Sequence, residues 1–358
     1  MRTPVYLLRY LAVPTNFLSI PAIHGLKNSE RIQHHVVGIG NALVDVIARV
    51  DDAFLVEHGL SKGAMALVDA DQAIAMYESI GTGVQTSGGS AANTIAGIAS
   101  LGGSVAFIGK VASDAVGDIF ARDMQEIGVQ FHSGAADETL PTGRCIIAVT
   151  PDAQRTMNTF LGISTMLNID DVDAAVIESA AVLYMEGYLF DRDEAKQAFR
   201  RAAAMAHKHG RVVSLTLSDA FCVDRHRVDF RSLVADEIDV LFANEAELLS
   251  LYQVDSFEQA IGQLRQECQV AVITRSEKGA VIVTRDHEYV VDAIAVPDVV
   301  DTTGAGDLFA AGFLYGYTSG YALETCGRIG AIAAAEVISH VGPRPLVPLR
   351  SLLPADLQ

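Results

Sequence analysis

The strongest chemical signal in the sequence is the heptapeptide Asp301–Asp307, Asp-Thr-Thr-Gly-Ala-Gly-Asp, which an apolar run follows. Its glycines allow a tight turn at the start of a helix, where free N–H groups and the positive end of the helix dipole favour an anion. We therefore predict a cradle for a phosphate or oxyanion. Asp307 would stand in the first turn, where its carboxylate could accept a proton from a hydroxyl. A role limited to the helix dipole is the alternative for Asp307.

A second glycine motif, Gly88-Gly89-Ser90-Ala91-Ala92-Asn93, leads into a predicted helix near the N-terminus. Together the two motifs resemble the signatures of the ribokinase-like (PfkB) family of sugar and nucleoside kinases. The resemblance extends from about Val36 to Pro345, which is nearly the whole chain. Its two motifs are specific in combination, whereas either alone would be a weaker signal.

The resemblance implies ATP-dependent phosphoryl transfer to a primary hydroxyl. Asp307 is similar to the family's general base, and the amides of Gly304, Ala305 and Gly306 are similar to its anion hole. The residue chemistry agrees, because phosphoryl transfer needs positioning and charge stabilisation more than covalent catalysis. A non-catalytic nucleotide or sugar sensor is the alternative, since a fold does not determine a function.

Acceptor-binding residues are implied directly after the first strand. The resemblance assigns Asp45, with Asn41, to the hydroxyls of a bound sugar or ribose, and carboxylate and amide groups suit that task. A solvated loop aspartate is the alternative for Asp45. A dinucleotide fingerprint would need a glycine where Leu43 stands, so a Rossmann dehydrogenase is disfavoured.

The second motif is also implied to bind the acceptor. Gly88 and Gly89 would admit the sugar close to the backbone, and the Asn93 side chain would hydrogen-bond a hydroxyl. We expect Ser90 to belong to this site and also to act as the N-cap of the helix Ala91–Ser100.

Nucleotide contacts are implied further along the chain. Asn244-Glu245-Ala246-Glu247 resembles the family's Asn-x-x-Glu motif, which implies that Asn244 and Glu247 orient Mg²⁺ through its water shell beside the ATP phosphates. Ordinary first-turn acidic residues are the alternative. A looser family motif at the phosphates is similar to the stretch that contains Thr274, Arg275, Ser276 and Gly279, and Thr303 is a further expected nucleotide contact. Most members have glycine where Ser276 stands.

Two further charged residues, Arg155 and Asp301, are candidates for binding the transferring phosphate and a cation. Arg155 lies in a predicted lid segment and could close over the transferring phosphate as a mobile cation, or it could be a plain surface arginine. Asp301 could help to hold a monovalent cation such as K⁺, as in some relatives.

Within the family, the chain is most similar to the bacterial adenosine kinase-like branch, which implies the 5'-hydroxyl of adenosine as acceptor, in purine salvage. Phe160, Tyr188 and Phe190 could sandwich a purine, or they could belong to lid and core packing. A sugar kinase of the ribokinase or fructokinase type is the alternative. The similar stretches are Gly40–Asp45, Glu186–Phe190 and Leu217–Phe221.

Short β-branched runs alternate with amphipathic stretches beyond Val36. This pattern predicts an α/β fold with a doubly wound, mostly parallel sheet and helices on both faces. The clearest helix is Asp193–His209, which Gly210 would end. The predicted strands are Val36–Gly38, Val105–Ile108, Ala181–Tyr184, Val212–Thr216, Val240–Phe242 and Ala271–Thr274.

Two segments, at about 48–68 and 128–162, break this rhythm with alternating apolar residues, glycines and turn formers. They predict a small antiparallel β lid over the crevice at the carboxyl ends of the strands. We expect residues 36–350 to form a single kinase domain. Residues 1–35 are expected to be a leader or disordered extension.

The composition excludes several other classes. The chain has 44 Asp+Glu against 26 Lys+Arg and a net charge of -18. Such an acidic chain does not favour binding to nucleic acid or to an anionic membrane, both of which require clustered Lys and Arg. No uninterrupted apolar run reaches about 18 residues, so the sequence predicts no membrane-spanning helix. The 4 cysteines are widely spaced, which favours core thiols in a reducing compartment over disulfides or a metal site. We expect a cytoplasmic monomer or homodimer whose partners are small molecules.

Overall fold

The computed structural model describes residues 32–80, 83–134, 140–152 and 154–357. The strands are β1 (His34–Ile39), β2 (Leu43–Arg49), β3 (Met65–Leu67), β4 (Val84–Gly88), β5 (Val105–Gly109), β6 (Val129–Ser133), β7 (Gly143–Val149), β8 (Arg155–Phe160), β9 (Ala180–Glu186), β10 (Val212–Thr216), β11 (Val240–Asn244), β12 (Val270–Thr274), β13 (Ala280–Thr284) and β14 (Glu288–Val291). The helices are α1 (Asp52–Glu57), α2 (Ala70–Ser79), α3 (Ser90–Ser100), α4 (Ala115–Glu126), α5 (Ala174–Glu178), α6 (Asp193–Lys208), α7 (Ala220–Asp236), α8 (Glu245–Tyr252), α9 (Phe257–Glu267), α10 (Ala305–Thr318) and α11 (Leu323–Val337).

The main sheet has nine strands in the order β14-β13-β12-β11-β10-β9-β1-β5-β6. The strands from β12 to β6 pair in parallel, and β13 and β14 add an antiparallel edge. Parallel strands that are buried on both faces consist of nearly continuous apolar runs, which is why the sequence predicted these strands. All of the predicted strands are present.

Helices cover both faces of this sheet. Val36 packs into a core with α3, α4, α10 and α11, whereas its neighbour Val37 packs into a second core with α5 to α9. Successive side chains of a strand point to opposite faces, so one strand serves both cores. The predicted doubly wound α/β architecture is confirmed. The predicted helix Asp193–His209 matches α6 to within one residue.

A second, five-stranded sheet has the order β3-β8-β7-β2-β4, and we call it the lid sheet. It differs from the predicted lid in three respects. It is mixed, because β2 pairs with β7 and β3 with β8 in parallel. It begins at Leu43 and includes β4, outside the segments expected at 48–68 and 128–162. Finally, β6, inside the second segment, extends the main sheet beside β5. An alternating pattern identifies a strand but not the sheet that it joins.

The N-terminal boundary also differs from the expected one. Residues 1–31 of the predicted leader lie outside the described residues, but His34 and His35 already belong to β1. Within the described ranges, no helix is both long and apolar enough to cross a membrane. All four cysteines are buried free thiols, as the prediction of core thiols requires.

Candidate active site

A cavity of about 670 Å³ lies between the carboxyl edge of the main sheet and the lid sheet. The last residues of four adjacent strands line it, as expected for a ligand crevice of a parallel α/β sheet. These residues are Glu186, Thr216, Asn244 and Thr274. The lid side is mainly aliphatic and contributes Leu43, Met65, Leu67, Ile147, Met157 and Leu161. The cavity therefore has a polar floor and an apolar roof.

The predicted anion cradle forms the start of α10 and lines the cavity. Gly304 is the N-cap with φ of 80°, and a Cβ there would lie 2.8 Å from the Cβ of Pro343. Gly306 faces open space. The Ala305 N–H donates to the carbonyl of Thr302 at 3.2 Å, so this amide is already used by the turn. The amides of Gly304 and Gly306 remain as candidates for anion binding.

Asp307 stands in the first turn of α10 and lines the cavity. Its Oδ1 accepts a hydrogen bond from Ser90 Oγ at 2.6 Å, and its Oδ2 accepts one from Asn93 Nδ2 at 2.9 Å. Burial raises the pKa of Asp307, while these hydrogen bonds and the Arg344 charge oppose the rise. A carboxylate held in this way has a fixed orientation and increased basicity.

Ser90 does not act as the predicted N-cap. Helix α3 begins at Ser90 itself, and Gly89, with φ of 100°, occupies the cap position. A Cβ on Gly89 would lie 2.2 Å from the Asn41 carbonyl oxygen, so this position requires glycine. The Ser90 hydroxyl is instead directed to Asp307, which joins the N-termini of α3 and α10.

Asp45 lies in β2 and is buried at the cavity wall. A Cβ on Gly88 would lie 2.5 Å from its carboxylate, so a larger residue at position 88 would displace Asp45. Burial raises the pKa of Asp45 to about 6, and the positive charges of Arg344 and Arg155 limit that rise. Asp45 can therefore accept hydrogen bonds from a ligand as a carboxylate at neutral pH.

Asn41 lines the cavity, but its side chain is already engaged. Its Nδ2 donates to Glu186 Oε1 at 2.7 Å, and its Oδ1 accepts from Ser164 Oγ at 2.8 Å. Glu186 Oε2 also accepts from the Ala91 N–H at 2.8 Å, which fixes the first turn of α3. Burial raises the pKa of Glu186 to about 7. Sequence reasoning missed Glu186, although an acid at the end of a buried strand was a usable signal.

Asn244 and Glu247 line the cavity and form a reciprocal cap at the start of α8. Asn244 Oδ1 accepts from the Glu247 N–H at 2.8 Å, and Glu247 Oε2 accepts from the Asn244 N–H at 2.9 Å. Burial raises the pKa of Glu247 to about 7. Among the described residues no cluster of three or more His, Cys, Asp or Glu could hold a metal ion. Both oxygens of the Glu247 carboxylate accept hydrogen bonds from Asn244, which fixes the orientation of this acid.

The expected nucleotide contacts after β12 are only partly in place. Thr274 lines the cavity, whereas Arg275, Ser276 and Gly279 are not among the described residues that do. Arg275 pairs with Glu245 at 3.0 Å and lies over the ring of Phe257. Ser276 adopts φ of 52°, a conformation that suits the glycine usual at this position. The turn geometry is thus retained without the glycine.

Arg155 differs from its expected role over the transferring phosphate. It stands at the start of lid strand β8 and pairs with the Asp301 carboxylate, with Thr303 Oγ1 at 3.3 Å. Asp301 also accepts from the Thr303 N–H at 3.0 Å and the Gly342 N–H at 2.8 Å. The Asp301 carboxylate is therefore neutralised by Arg155 and held by main-chain N–H donors, and the monovalent cation expected there stays a prediction. Arg155 instead ties the lid sheet to the loop before α10.

The predicted aromatic sandwich for a purine does not form. Phe190 stacks on Phe230 in the core, with ring centroids 4.2 Å apart, and Phe160 is buried outside the described cavity lining. Tyr188 alone of the three lines the cavity, and its hydroxyl donates to the Ser218 carbonyl at 3.3 Å. Apolar spacing could not distinguish a ring packed under α6 and α7 from one that faces a ligand.

A doubly wound sheet with a β lid over its carboxyl edge, and an oriented carboxylate at a helix N-terminus, defines a small-molecule kinase of the ribokinase-like class. Comparison with known proteins supports the same class of enzyme. Residues 67–350 match the profile of the pfkB family carbohydrate kinases.

Two solved structures are especially similar. The adenosine kinase from Sinorhizobium meliloti is 49% identical, with a TM-score of 0.81, over 89% of this chain and 98% of that one. A probable sugar kinase protein from Rhizobium etli is 48% identical, with a TM-score of 0.82, over 89% and 97%. The adenosine kinase of Saccharomyces cerevisiae is 27% identical over 86% of this chain and 96% of its own length.

The chain belongs to the pfkB family of carbohydrate kinases. It is a phosphotransferase with an alcohol group as acceptor, and its relatives include both adenosine kinases and sugar kinases. The family resemblance predicted from the two glycine motifs is confirmed.

Proposed function

We propose that this enzyme transfers the γ-phosphoryl group of ATP to the 5'-hydroxyl of adenosine. The observation that carries the proposal is the Asp307 carboxylate, which Ser90 and Asn93 orient at the start of α10 between the polar floor and the apolar roof of the cavity. The 49% identity to the Sinorhizobium meliloti adenosine kinase supports adenosine as acceptor.

Asp307 is the general base in this proposal. As the acceptor hydroxyl oxygen forms its bond to the γ-phosphorus, the hydroxyl proton moves to an Asp307 oxygen and the bond between the γ-phosphorus and the bridging oxygen of ADP breaks. The Gly304 and Gly306 amides at the start of α10 stabilise the charge on the transferring group. The increased basicity of Asp307 favours proton acceptance.

The two sides of the cavity suit the two parts of a nucleoside. Asp45, in the cavity wall, accepts hydrogen bonds from ribose hydroxyls, and Asn93 fixes Asp307 next to them. The aliphatic lid residues, such as Met65 and Met157, cover the uncharged base by apolar contact in place of the aromatic sandwich.

The nucleotide lies toward β11 and β12, where Asn244, Glu247, Thr274 and Thr303 line the cavity. Asn244 and Glu247 would hold Mg²⁺ beside the ATP phosphates, and the ion would neutralise the phosphate charge. Since both Glu247 oxygens already accept hydrogen bonds from Asn244, Glu247 would reach the metal through its bound water.

A sugar kinase remains the second candidate. The missing aromatic sandwich and the 48% identity to the Rhizobium etli sugar kinase favour it. Against it, Leu43, Met65 and Leu67 provide apolar contact that an uncharged base can use and a bare sugar cannot.

The test is ATP- and Mg²⁺-dependent phosphorylation of adenosine, inosine, ribose and fructose. We expect adenosine to give the highest kcat/KM. Asp307→Asn should lower kcat by about 10²–10⁴-fold with little change in KM, because it keeps the shape of the base but not its proton affinity. The matched control is Asp298→Asn, an exposed aspartate in the preceding loop, which should retain wild-type kcat.

A higher kcat/KM for a free sugar would replace adenosine as acceptor while leaving the catalytic residues in place. Near-normal kcat in Asp307→Asn would remove Asp307 from the mechanism. No turnover of any acceptor, with ATP still raising the melting temperature, would favour a sensor.

A further inference from the structure

Residues 342–344, Gly-Pro-Arg, contact both glycine motifs of the site. The Gly342 N–H donates to Asp301 Oδ2 at 2.8 Å. Pro343 packs so closely on Gly304 that a Cβ there would lie 2.9 Å from the Pro343 Cα. Arg344 then extends to the second motif. This short segment, which the sequence motifs did not single out, therefore joins the two loops that precede α10 and α3.

The Arg344 guanidinium spans the glycine pair that ends lid strand β4. Its Nη2 and Nε donate to the Ser87 carbonyl at 2.8 and 3.0 Å, and its Nη1 donates to the Ala92 carbonyl at 3.0 Å. Ser87 precedes Gly88 and Gly89, and Ala92 lies in the first turn of α3. One planar group thus fixes the distance across a flexible glycine pair.

Asp123 of α4 holds the same strand end from the other side. Its Oδ2 accepts from the Ser87 N–H at 2.7 Å and from Thr86 Oγ1 at 3.3 Å. Ser87 is therefore held between an anion on α4 and a cation on the segment after α11. Because neither Asp123 nor Arg344 is among the described residues that line the cavity, their contacts act on the site through β4 and α3.

Arg344 also carries the positive charge that faces the acids of the site. Burial lowers the pKa of Arg344 to about 10, so it stays protonated at neutral pH, and its charge lowers the pKa of both Asp45 and Asp307. Arg155 is the other cation that acts on Asp45. The other titratable groups near Asp307 are Glu186, Glu247, Asp45, Tyr184 and Tyr188, and none of them supplies positive charge.

We propose that Arg344 is a positioning residue for phosphoryl transfer, which holds the N-termini of α3 and α10 in register. The inference rests on the proposed role of Asp307 as general base. Ser90 and Asn93 lie in the first turn that Arg344 anchors, so a shift of α3 would misdirect both hydrogen bonds to Asp307.

The experiment compares kcat, KM and the pH profile of kcat for wild type, Arg344→Met and Arg344→Lys. For Arg344→Met we expect kcat to fall about 10- to 100-fold, as misplacement of a catalytic group does. The acid limb of the profile should rise by about one pH unit, because the neighbouring positive charge is lost. Arg344→Lys should restore the position of the acid limb but only part of kcat, since an ammonium cannot bond both carbonyls in a fixed plane.

Arg211→Met is the matched control. Arg211 is also buried and donates to a main-chain carbonyl, that of Glu178 at 2.9 Å, but it precedes β10 at the opposite end of the sheet. The Arg211→Met variant should lower the stability of the fold without moving the acid limb of the kcat profile. If Arg344→Met does not fold, Asp123→Asn loosens the same strand end from α4, and we expect kcat to fall about tenfold without a shift of the acid limb.

The outcomes separate the two proposals. If Arg344→Met has wild-type kcat and an unshifted acid limb, the role of Arg344 is overturned and Asp307 remains the base. If Arg344→Met does not fold, wild-type kcat in Asp123→Asn would have the same meaning. Full kcat in Asp307→Asn, or no turnover by the wild type, would overturn the proposed function and the positioning role with it. A fall in kcat that Arg211→Met reproduces, with the same unshifted limb, would reduce Arg344 to a stability residue.

Discussion

Burial raises the pKa of four of the carboxylates that line the cavity. They are Asp45, Glu186, Glu247 and Asp307. Glu186 and Glu247, both with pKa values of about 7, change charge near neutral pH. The residue types at the site therefore make both its chemistry and its stability depend on pH within a physiological range.

Glu247 gives a stability prediction with a defined sign. Its folded pKa of about 7 lies above the ordinary value of 4.5, so between those pH values the folded state binds a proton that the unfolded state lacks. Stability is therefore lost as pH rises through 7. Glu247→Gln removes the buried charge, and we expect it to raise the free energy of unfolding at pH 8 by about 1–3 kcal/mol. Thermal or urea unfolding at pH 5 and 8 measures the difference, which should shrink toward pH 4.5.

Glu245→Gln is the control on the same helical turn. Arg275 holds the pKa of Glu245 below its ordinary value, so the charge of Glu245 is favourable. The glutamine at 245 should therefore leave stability at pH 8 unchanged or slightly lower. Equal stabilisation by both variants would show that general charge reduction on an acidic protein, and not burial of Glu247, is responsible.

The sequence motifs located the centre of the site but not the residues that support it. Asp307, Asp45 and Asn93 were predicted from short motifs because their types and spacing are tied to the backbone turns beside them. Arg344 acts through main-chain carbonyls distant in sequence, and no local pattern records such contacts. Glu186 was missed although its place at the end of a buried strand was a usable signal. Arg275 was expected at the nucleotide phosphates but pairs with Glu245. The reason is the same, because Glu245 is close to Arg275 in space and not in sequence.

The turn before α10 contains two glycines with different structural requirements. Gly304 has positive φ and lies against Pro343, whereas Gly306 faces open space. Gly304→Ala should lower the free energy of unfolding by about 1–3 kcal/mol and abolish most activity, because the turn must distort. Gly306→Ala should fold with wild-type stability and lose activity only through the methyl group that it adds to the cavity.

Denaturant unfolding and steady-state kinetics on both variants make this measurement. Equal stability of Gly304→Ala and wild type would mean that the left-handed turn is not required before α10. A loss of stability in Gly306→Ala as large as that in Gly304→Ala would contradict the open space found at Gly306.

The main sheet could be predicted because each of its inner strands is a buried apolar run, such as Val212–Thr216 or Val270–Thr274. The lid sheet could not be delimited in the same way. Its strand β4 contains Gln85, Thr86 and Ser87, which carry no apolar alternation, and β2 follows β1 with only a short turn. Pairing partners far apart in sequence, such as β2 with β7, decide this sheet.

The lid sheet leaves apolar surface exposed above the cavity. Met65 is 54% exposed and Leu67 is 64% exposed, although both line the cavity. A bound acceptor would cover this surface, and burial of apolar area favours that closure. We therefore expect the lid to be ordered by the acceptor more than by ATP.

Hydrogen exchange tests this expectation. At ten times its Kd, adenosine should slow amide exchange in β3 and β8 about tenfold, as for a ligand that binds only the closed form. ATP alone should slow exchange mainly at the start of α8, where Asn244 and Glu247 line the cavity. The edge strand β14 serves as an internal control. Protection of β3 by ATP but not by adenosine would place the acceptor away from the lid.

The contact of Arg344 with Ser87 has a consequence for how the enzyme is made. The two residues are 257 positions apart, so the contact forms only after the segment from Ser87 to Arg344 has left the ribosome. Domains synthesised at about 5–20 residues per second can collapse before such a late segment arrives. Nascent chains that end before residue 342 would hold a sheet and a lid but an unbraced catalytic loop. We therefore expect the catalytic loop to be braced only once residues 342–344 have been added to the strands and helices that they join.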